Sequence, residues 1–175
     1  KLTFQDLPAV FDPIEAIKKT SPKIHENHPI AKENILAHYK IRKGSIEKGF
    51  ASADVVLENS FQTQMIDHAY LEPDAGYVIP NPDGSITCTG PTQCPHMVRR
   101  VISPVLGLGQ NEIQFISTQP GGGFGGKEET SIEIAMRAGL VALKTGRPVI
   151  YNYSREESLG AKAKRVPAVI HHKIG

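Results

Sequence analysis

Five glycines fall within nine residues, G-G-G-F-G-G-K-E-E at positions 121–129, between a β-rich run and the longest helical pattern in the chain. Glycine alone lets a backbone turn freely through positive φ or approach another group without a Cβ in the way. The segment therefore forces a sharp strand-to-helix junction. Before it, N-E-I-Q-F-I-S-T-Q (111–119) reads as a strand. After it, Ile132, Ala135, Met136, Leu140 and Leu143 recur at helical spacing until Gly146 and Pro148 stop the helix.

Three ligand readings of this junction compete. As a phosphate loop, Gly121, Gly126 and Lys127 fit, but Glu128 stands where a magnesium-binding Ser or Thr belongs. Glu129 follows it, and two carboxylates repel phosphate oxygens. As a dinucleotide fingerprint, the loop needs an acid at the end of a second strand about 20 residues on. That region reads as helix, and nothing upstream begins a parallel nucleotide-binding unit. In the third reading, the glycines clear a backbone that lies against a bulky ligand, with amides at the helix mouth facing an electron-rich group. Phe124 is then a wall. The bland alternative is a tight linker with no ligand.

The rest of the chain mixes strands and helices without a strict alternation, which predicts an α+β fold of mixed sheets with packed helices. Asp12 and Pro13 mark a helix start. Residues 20–40, rich in Pro, His, Asn and Lys, read as surface connection, and 45–49 as a short capped helix. Residues 53–66 read as a strand. N-P-D-G (81–84) predicts a hairpin turn between two more. Pro95 opens a helix with Met97, Val101 and Val105 on one side and Pro104 as a complication. Residues 149–152 form a strand, Ser154 and Glu157 a capping box, and 166–174 a final strand. These features divide the chain into a lead-in over 1–40 and a main domain over 41–175.

The formal charge of +2 and 6% aromatic content argue against a nucleic-acid partner. No apolar run approaches the about 18 residues that span a bilayer. Cys88 and Cys94, spaced C-x5-C, suit neither a zinc knuckle nor a disulfide framework, and read as reduced thiols of a cytoplasmic protein. The chain has no initiator Met and stops inside a strand-like run, so a longer parent is expected.

Several motifs, in order, resemble the molybdenum hydroxylases of the xanthine dehydrogenase and aldehyde oxidase family. G-G-G-F-G-G-K-E is one. K-G-S-I-E-K-G-F-A-S-A-D-V-V resembles the family's entry into its molybdopterin-binding region, D-H-A-Y-L-E-P its H-x-x-L-E-P strand, and T-Q-C-P its T-Q-x-P segment. T-G-R-P-V, R-E-E and K-R-V-P resemble later pieces, with Val166 in place of the usual His. The resemblance implies the amino-terminal part of a molybdopterin-binding region. It implies molybdenum–molybdopterin (dinucleotide form included), with [2Fe–2S] clusters and FAD on other domains or subunits. The implied reaction oxidises a purine, another N-heterocycle or an aldehyde with oxygen from water. It also implies a catalytic base farther along the parent chain, so these 175 residues are expected to be inactive alone. The rival is a non-catalytic assembly module that keeps the fold.

Residue by residue, Gln93 resembles the glutamine whose amide hydrogen-bonds an oxygen ligand of molybdenum, although it also suits a helix cap. Phe124 and Gly125 resemble the pair against the metal centre, Gly125 offering its N–H, while Gly123 and Gly126 keep the approach clear. Glu128 resembles the glutamate that faces the heterocycle in purine-oxidising members, although it also suits a helix first turn. No residue is implied as a direct metal ligand. His68 is read as buried and hydrogen-bonded, Arg155 and Arg165 as loop anchors, Cys94 as core, and His171 with His172 as facing opposite ways on a strand.

Overall fold

The computed structural model describes residues 3–25 and 32–175, which form two units. The first, Lys1–Val56 with Gly175, holds helix α1 (Pro13–Ala16) and helix α2 (Ile46–Ala51). Asp12 caps α1 by accepting from the N–H groups of Ile14 at 2.7 Å and Glu15 at 3.0 Å, as its position before Pro13 predicts. Ser45 caps α2, which runs past Gly49 to Ala51 rather than ending at the glycine. The irregular stretch expected over 20–40 lies partly outside the described residues. Within it, the Asn34 side chain ties the carbonyls of Ala16 and Pro22, both at 2.9 Å.

The second unit, Leu57–Ile174, contains six strands and three α-helices among the described residues. Strand β1 (Leu57–Gln62) pairs antiparallel with β6 (Val169–Ile174). The other strands are β2 (Ala75–Pro80), β3 (Ile86–Pro91), β4 (Ile113–Thr118) and β5 (Val149–Asn152), in the sheet order β4-β3-β2-β5. The predicted hairpin is β2–β3, with Gly84 at φ 88° in its turn. Helix α3 (Pro95–Leu106) carries the chain from β3 to β4, and these two strands are parallel. A parallel β-α-β crossover, which the sequence did not reveal, thus stands immediately upstream of the glycine-rich junction. Helix α4 (Thr130–Thr145) then returns the chain to β5 at the opposite edge, and α5 (Arg155–Ala161) follows. A dinucleotide fold would continue beside β4, so this topology still departs from one.

Helices α3 and α4 pack on one face of the sheet around Val78, Ile86, Cys88, Val98, Ile102, Ile113, Ile132 and a run of alanines. The buried side of α3 is Val98 and Ile102; of the expected residues Met97 packs against this core, but Val101 and Val105 do not: Ile102 is 0% exposed and Val105 57%. Residues 98 and 102, one turn apart, are the centre of the buried side, and Val101 and Val105 lie a quarter-turn or so away from it. Helix α4 buries Ala135, Ala138, Gly139 and Ala142, whereas Leu140 is 60% exposed. Small side chains win because the α3–α4 contact is close: a Cβ on Gly139 would lie 2.9 Å from Leu106 Cδ1. Pro104 sits in the last turn of α3, which Gly107 closes at φ 70° by donating to the Ser103 carbonyl.

The core assignment predicts that Ile102→Ala lowers unfolding stability by about 2–5 kcal/mol. Val105→Ala should change it by less than about 1 kcal/mol. Chemical denaturation of the two variants checks this, and equal losses would show the helix face to be misassigned.

Candidate functional site

The segment His68-Ala69-Tyr70-Leu71-Glu72, irregular in backbone, lies against the glycine-rich junction. Gly121 N–H donates to Glu72 Oε2 at 2.8 Å, and the same oxygen forms an ion pair with Lys127. A Cβ on Gly126 would fall 2.8 Å from both His68 Cγ and Tyr70 Cε1. One on Gly123 would fall 2.7 Å from Gln93 Oε1. These two glycines therefore make room for the protein's own side chains, Gln93 at Gly123 and His68 with Tyr70 at Gly126.

Lys127 is fully buried, so it is no phosphate-loop lysine; its ammonium points inward. It sits 4.6 Å from the Tyr70 ring centroid, and Lys162 lies 3.6 Å from that centroid. The buried Tyr70 hydroxyl donates to Asp74, 2.7 and 2.8 Å from its two oxygens, and Ser158 Oγ also reaches Asp74. Burial, followed by the Asp74 carboxylate, pushes the Tyr70 phenol well above its ordinary range. Burial alone would raise the Glu72 carboxyl, but Lys127 and the Gly121 N–H outweigh it and hold that pKa below its usual value. Sequence reasoning missed Tyr70, Asp74 and Lys162 as supports. Tyr70 and Asp74 were signalled only by their place in the H-A-Y-L-E-P-D run, and Lys162, in the distant A-K-A-K-R stretch, by nothing local. The guanidinium of Arg155 donates to the carbonyls of Tyr70, at 2.9 Å, and Leu71, and Arg165 to that of Gln64 at 3.3 Å, so both are the expected loop anchors.

Gln93 joins the start of α3 to the junction. Its side-chain Oε1 accepts from the N–H groups of Gly125 at 3.0 Å and Lys127 at 3.2 Å, and its own N–H donates to the Lys127 carbonyl at 2.9 Å. It is therefore not a helix cap; Cys94 holds that position. Two backbone donors on Oε1 fix the amide's orientation and leave Nε2 as the outward donor. Gly125 N–H, which the resemblance aims at the metal centre, here donates to Gln93. Between them Phe124 takes φ 53°, rare for a bulky residue, and is 77% exposed. The junction thus assembles Gln93, Gly123, Phe124, Gly125 and Gly126 at one place.

On the other side of Gly125 and Gly126 opens a cavity of about 180 Å³, whose wall includes His68, Glu128, Glu129 and Lys164. Glu128 precedes α4 rather than lying in its first turn. Contrary to expectation, His68 is only half-buried, and its Nδ1 is buried with no hydrogen-bond partner among the described residues. Next to it, Asp67 pairs with Lys164 at 2.7 Å and Lys162 at 3.2 Å. Burial opposes ionisation of Asp67, but Lys164, the Ala69 N–H and Lys162 prevail and bring its pKa to about 2. Cys88 is buried, which raises its thiol to about 12, and Cys94 is half-buried. His171 on β6 pairs with Ser60 Oγ at 2.8 Å. Among the described residues, no three or more His, Cys, Asp or Glu gather to hold a metal ion. A cofactor bound here would be held by donors such as Gln93 Nε2, which suits an oxygen-rich group carrying its own metal.

Two outcomes follow. Gly126→Ala forces a methyl against Tyr70 and His68 and should cost about 1–3 kcal/mol in thermal or denaturant unfolding. Asp67 has a folded pKa of about 2 against an ordinary 3.8. Its contribution is therefore present above pH 4 and is lost as pH falls through 2. Asp67→Asn should cost about 2 kcal/mol at pH 6, and the two stability curves should converge near pH 2. A gap that persists unchanged at pH 2 would contradict the ion-pair account.

Residues 27–175 match the Molybdopterin cofactor-binding domain family. The chain is 31% identical over 174 residues to the nicotinate dehydrogenase large molybdopterin subunit of Eubacterium barkeri, covering 99% of this chain and 39% of that protein. It is 32% identical over 179 residues to the xanthine dehydrogenase/oxidase of Mus musculus, covering 100% of this chain and 12% of that one. It therefore spans well under half the length of either relative. The fold superposes on the aldehyde oxidoreductase from Desulfovibrio gigas with a TM-score of 0.80 at 24% identity, over 97% of this chain and 18% of that one. With 149 of its 175 residues matched, the chain belongs to the Molybdopterin cofactor-binding domain family, and its mixed α+β fold is that of the superposed structure.

Proposed function

We propose that this chain supplies part of the cofactor and substrate site of a molybdenum-dependent hydroxylase that oxidises a purine or other N-heterocycle with oxygen from water. The observation that carries the reading is the orientation of Gln93: both donors on Oε1 come from the glycine-rich junction, which leaves the side-chain NH2 of this exposed residue for a ligand. When bound, molybdenum–molybdopterin supplies the redox chemistry and activates water. Gln93 donates to it without adding charge, and the Phe124–Gly125 step forms a wall. Glu128, on the adjacent cavity, accepts from a ring N–H and orients the heterocycle. An apolar residue at that position would suit an aldehyde, so the carboxylate favours the heterocycle over the aldehyde reading.

Residues 1–40 serve as the lead-in and 41–175 as the cofactor-binding part. The catalytic base, the remainder of the molybdenum subunit, and the [2Fe–2S] and FAD centres that carry electrons away lie elsewhere in the assembly, and its compartment is the cytoplasm. Among the described residues no helix is long and apolar enough to cross a membrane.

Elemental analysis tests the reading on protein expressed with its partners in cells that make the cofactor. Molybdenum near one atom per chain supports it, and a value near zero transfers the assignment to a non-catalytic module. In the loaded enzyme, Glu128→Gln should lower kcat/KM for a purine by at least about 10-fold with metal content unchanged.

A further inference from the structure

We propose that His68 binds substrate, its Nε2–H donating to an acceptor atom of the heterocycle beside the Glu128 carboxylate. The inference rests on the proposed function and deepens it by assigning the edge of the ligand that the site reads. His68 is held in place on two sides. Gly126 packs against its ring, and a Cβ there would come within 2.8 Å of Cγ and 2.9 Å of Nδ1. Asp67, the preceding residue, is pinned by Lys162 and Lys164 and accepts from the Ala69 N–H at 2.7 Å, which fixes the backbone around the histidine.

The buried Nδ1 has no acceptor among the described residues. A proton there would be an orphan donor in the interior, which native proteins rarely tolerate. The proton is therefore assigned to Nε2. That atom lies 3.7 Å from where a Cβ would stand on Gly125, so the missing side chain leaves it uncovered, and both residues line the cavity. No hydrogen bond among the described residues engages Nε2.

The cavity thus presents a donor, His68 Nε2–H, and an acceptor, Glu128, among its lining residues. Its volume of about 180 Å³ falls below the roughly 300–1,000 Å³ of drug-sized sites, which suits a ligand of one or two rings. Its cation, Lys164, is neutralised by Asp67 at 2.7 Å, while Glu128 and Glu129 remain. That balance disfavours a carboxylated ligand. It selects a neutral heterocycle with an acceptor and an N–H side by side, a lactam or amidine edge.

The test is calorimetric binding of hypoxanthine, which has a lactam edge, and benzimidazole, a similar bicycle without the lactam oxygen, to the cofactor-loaded protein. His68→Phe should raise the Kd for hypoxanthine by about 10- to 100-fold and change that for benzimidazole by less than about 2-fold. His68→Gln, which keeps an N–H donor, should recover part of the loss. On the unmutated protein, hypoxanthine should shift the 15N resonance of His68 Nε2, a readout that needs no variant to fold. Equal weakening of both ligands, no weakening of either, or an unmoved Nε2 resonance would overturn the assignment. Failure of the unmutated protein to bind either bicycle also overturns it. With molybdenum near one atom per chain, that failure sinks the His68 inference alone; with molybdenum near zero, the hydroxylase reading falls with it.

Discussion

The buried ammonium of Lys127 is the constraint on which the rest of the site depends. A charge removed from water is tolerated only where partners replace its hydration. Here the partners are the Glu72 carboxylate and the face of Tyr70. The pairing draws the H-A-Y-L-E segment onto the glycine-rich junction. Because the Lys127 backbone is bonded through both its N–H and its carbonyl to Gln93, the same contact positions that side chain. The glycines follow from this packing. Any Cβ on Gly123 or Gly126 would strike Gln93, His68 or Tyr70.

A second constraint comes from the sheet. The β3–α3–β4 crossover delivers Gln93 and the end of β4 to one edge, and α4 leaves from there across the same face. The α3–α4 contact is close because α4 offers Ala135, Ala138, Gly139 and Ala142 to the core. With those helices fixed, the turn between β4 and α4 has little freedom. Phe124 accepts a positive φ within that turn, a strain of the kind that surrounding structure must hold.

Local features were legible in the sequence. The Asp12, Ser45 and Ser154 caps, the N-P-D-G hairpin turn, the Gly146 stop and the approximate span of every strand follow from turn and cap chemistry, which acts over a few residues. The inward faces of α3 and α4 were less legible. Periodicity gives the apolar residues of a helix, but several rotations bring some of them inward, and the neighbouring element chooses among these. Small residues carry little hydrophobic signal, so Ala138, Gly139 and Ala142 of α4 went unnoticed beside Ala135, and the exposed Leu140 was included instead.

By itself, the sequence determined the α+β class, the glycine-rich strand-to-helix junction and, through ordered motifs, the family. Those properties reside in local backbone preferences and in residue order. Tertiary structure alone decided that β3 and β4 run parallel, that Lys127 points inward to Glu72 and Tyr70, and that Gln93 Oε1 is taken by Gly125 and Lys127. It also decided that His68 stands beside the cavity with a buried, unpartnered Nδ1. Each of these joins residues tens of positions apart, or depends on which side of a backbone a neighbour fills. Spacing along the chain carries no record of either, because burial, pairing and exclusion arise only when the chain has closed on itself.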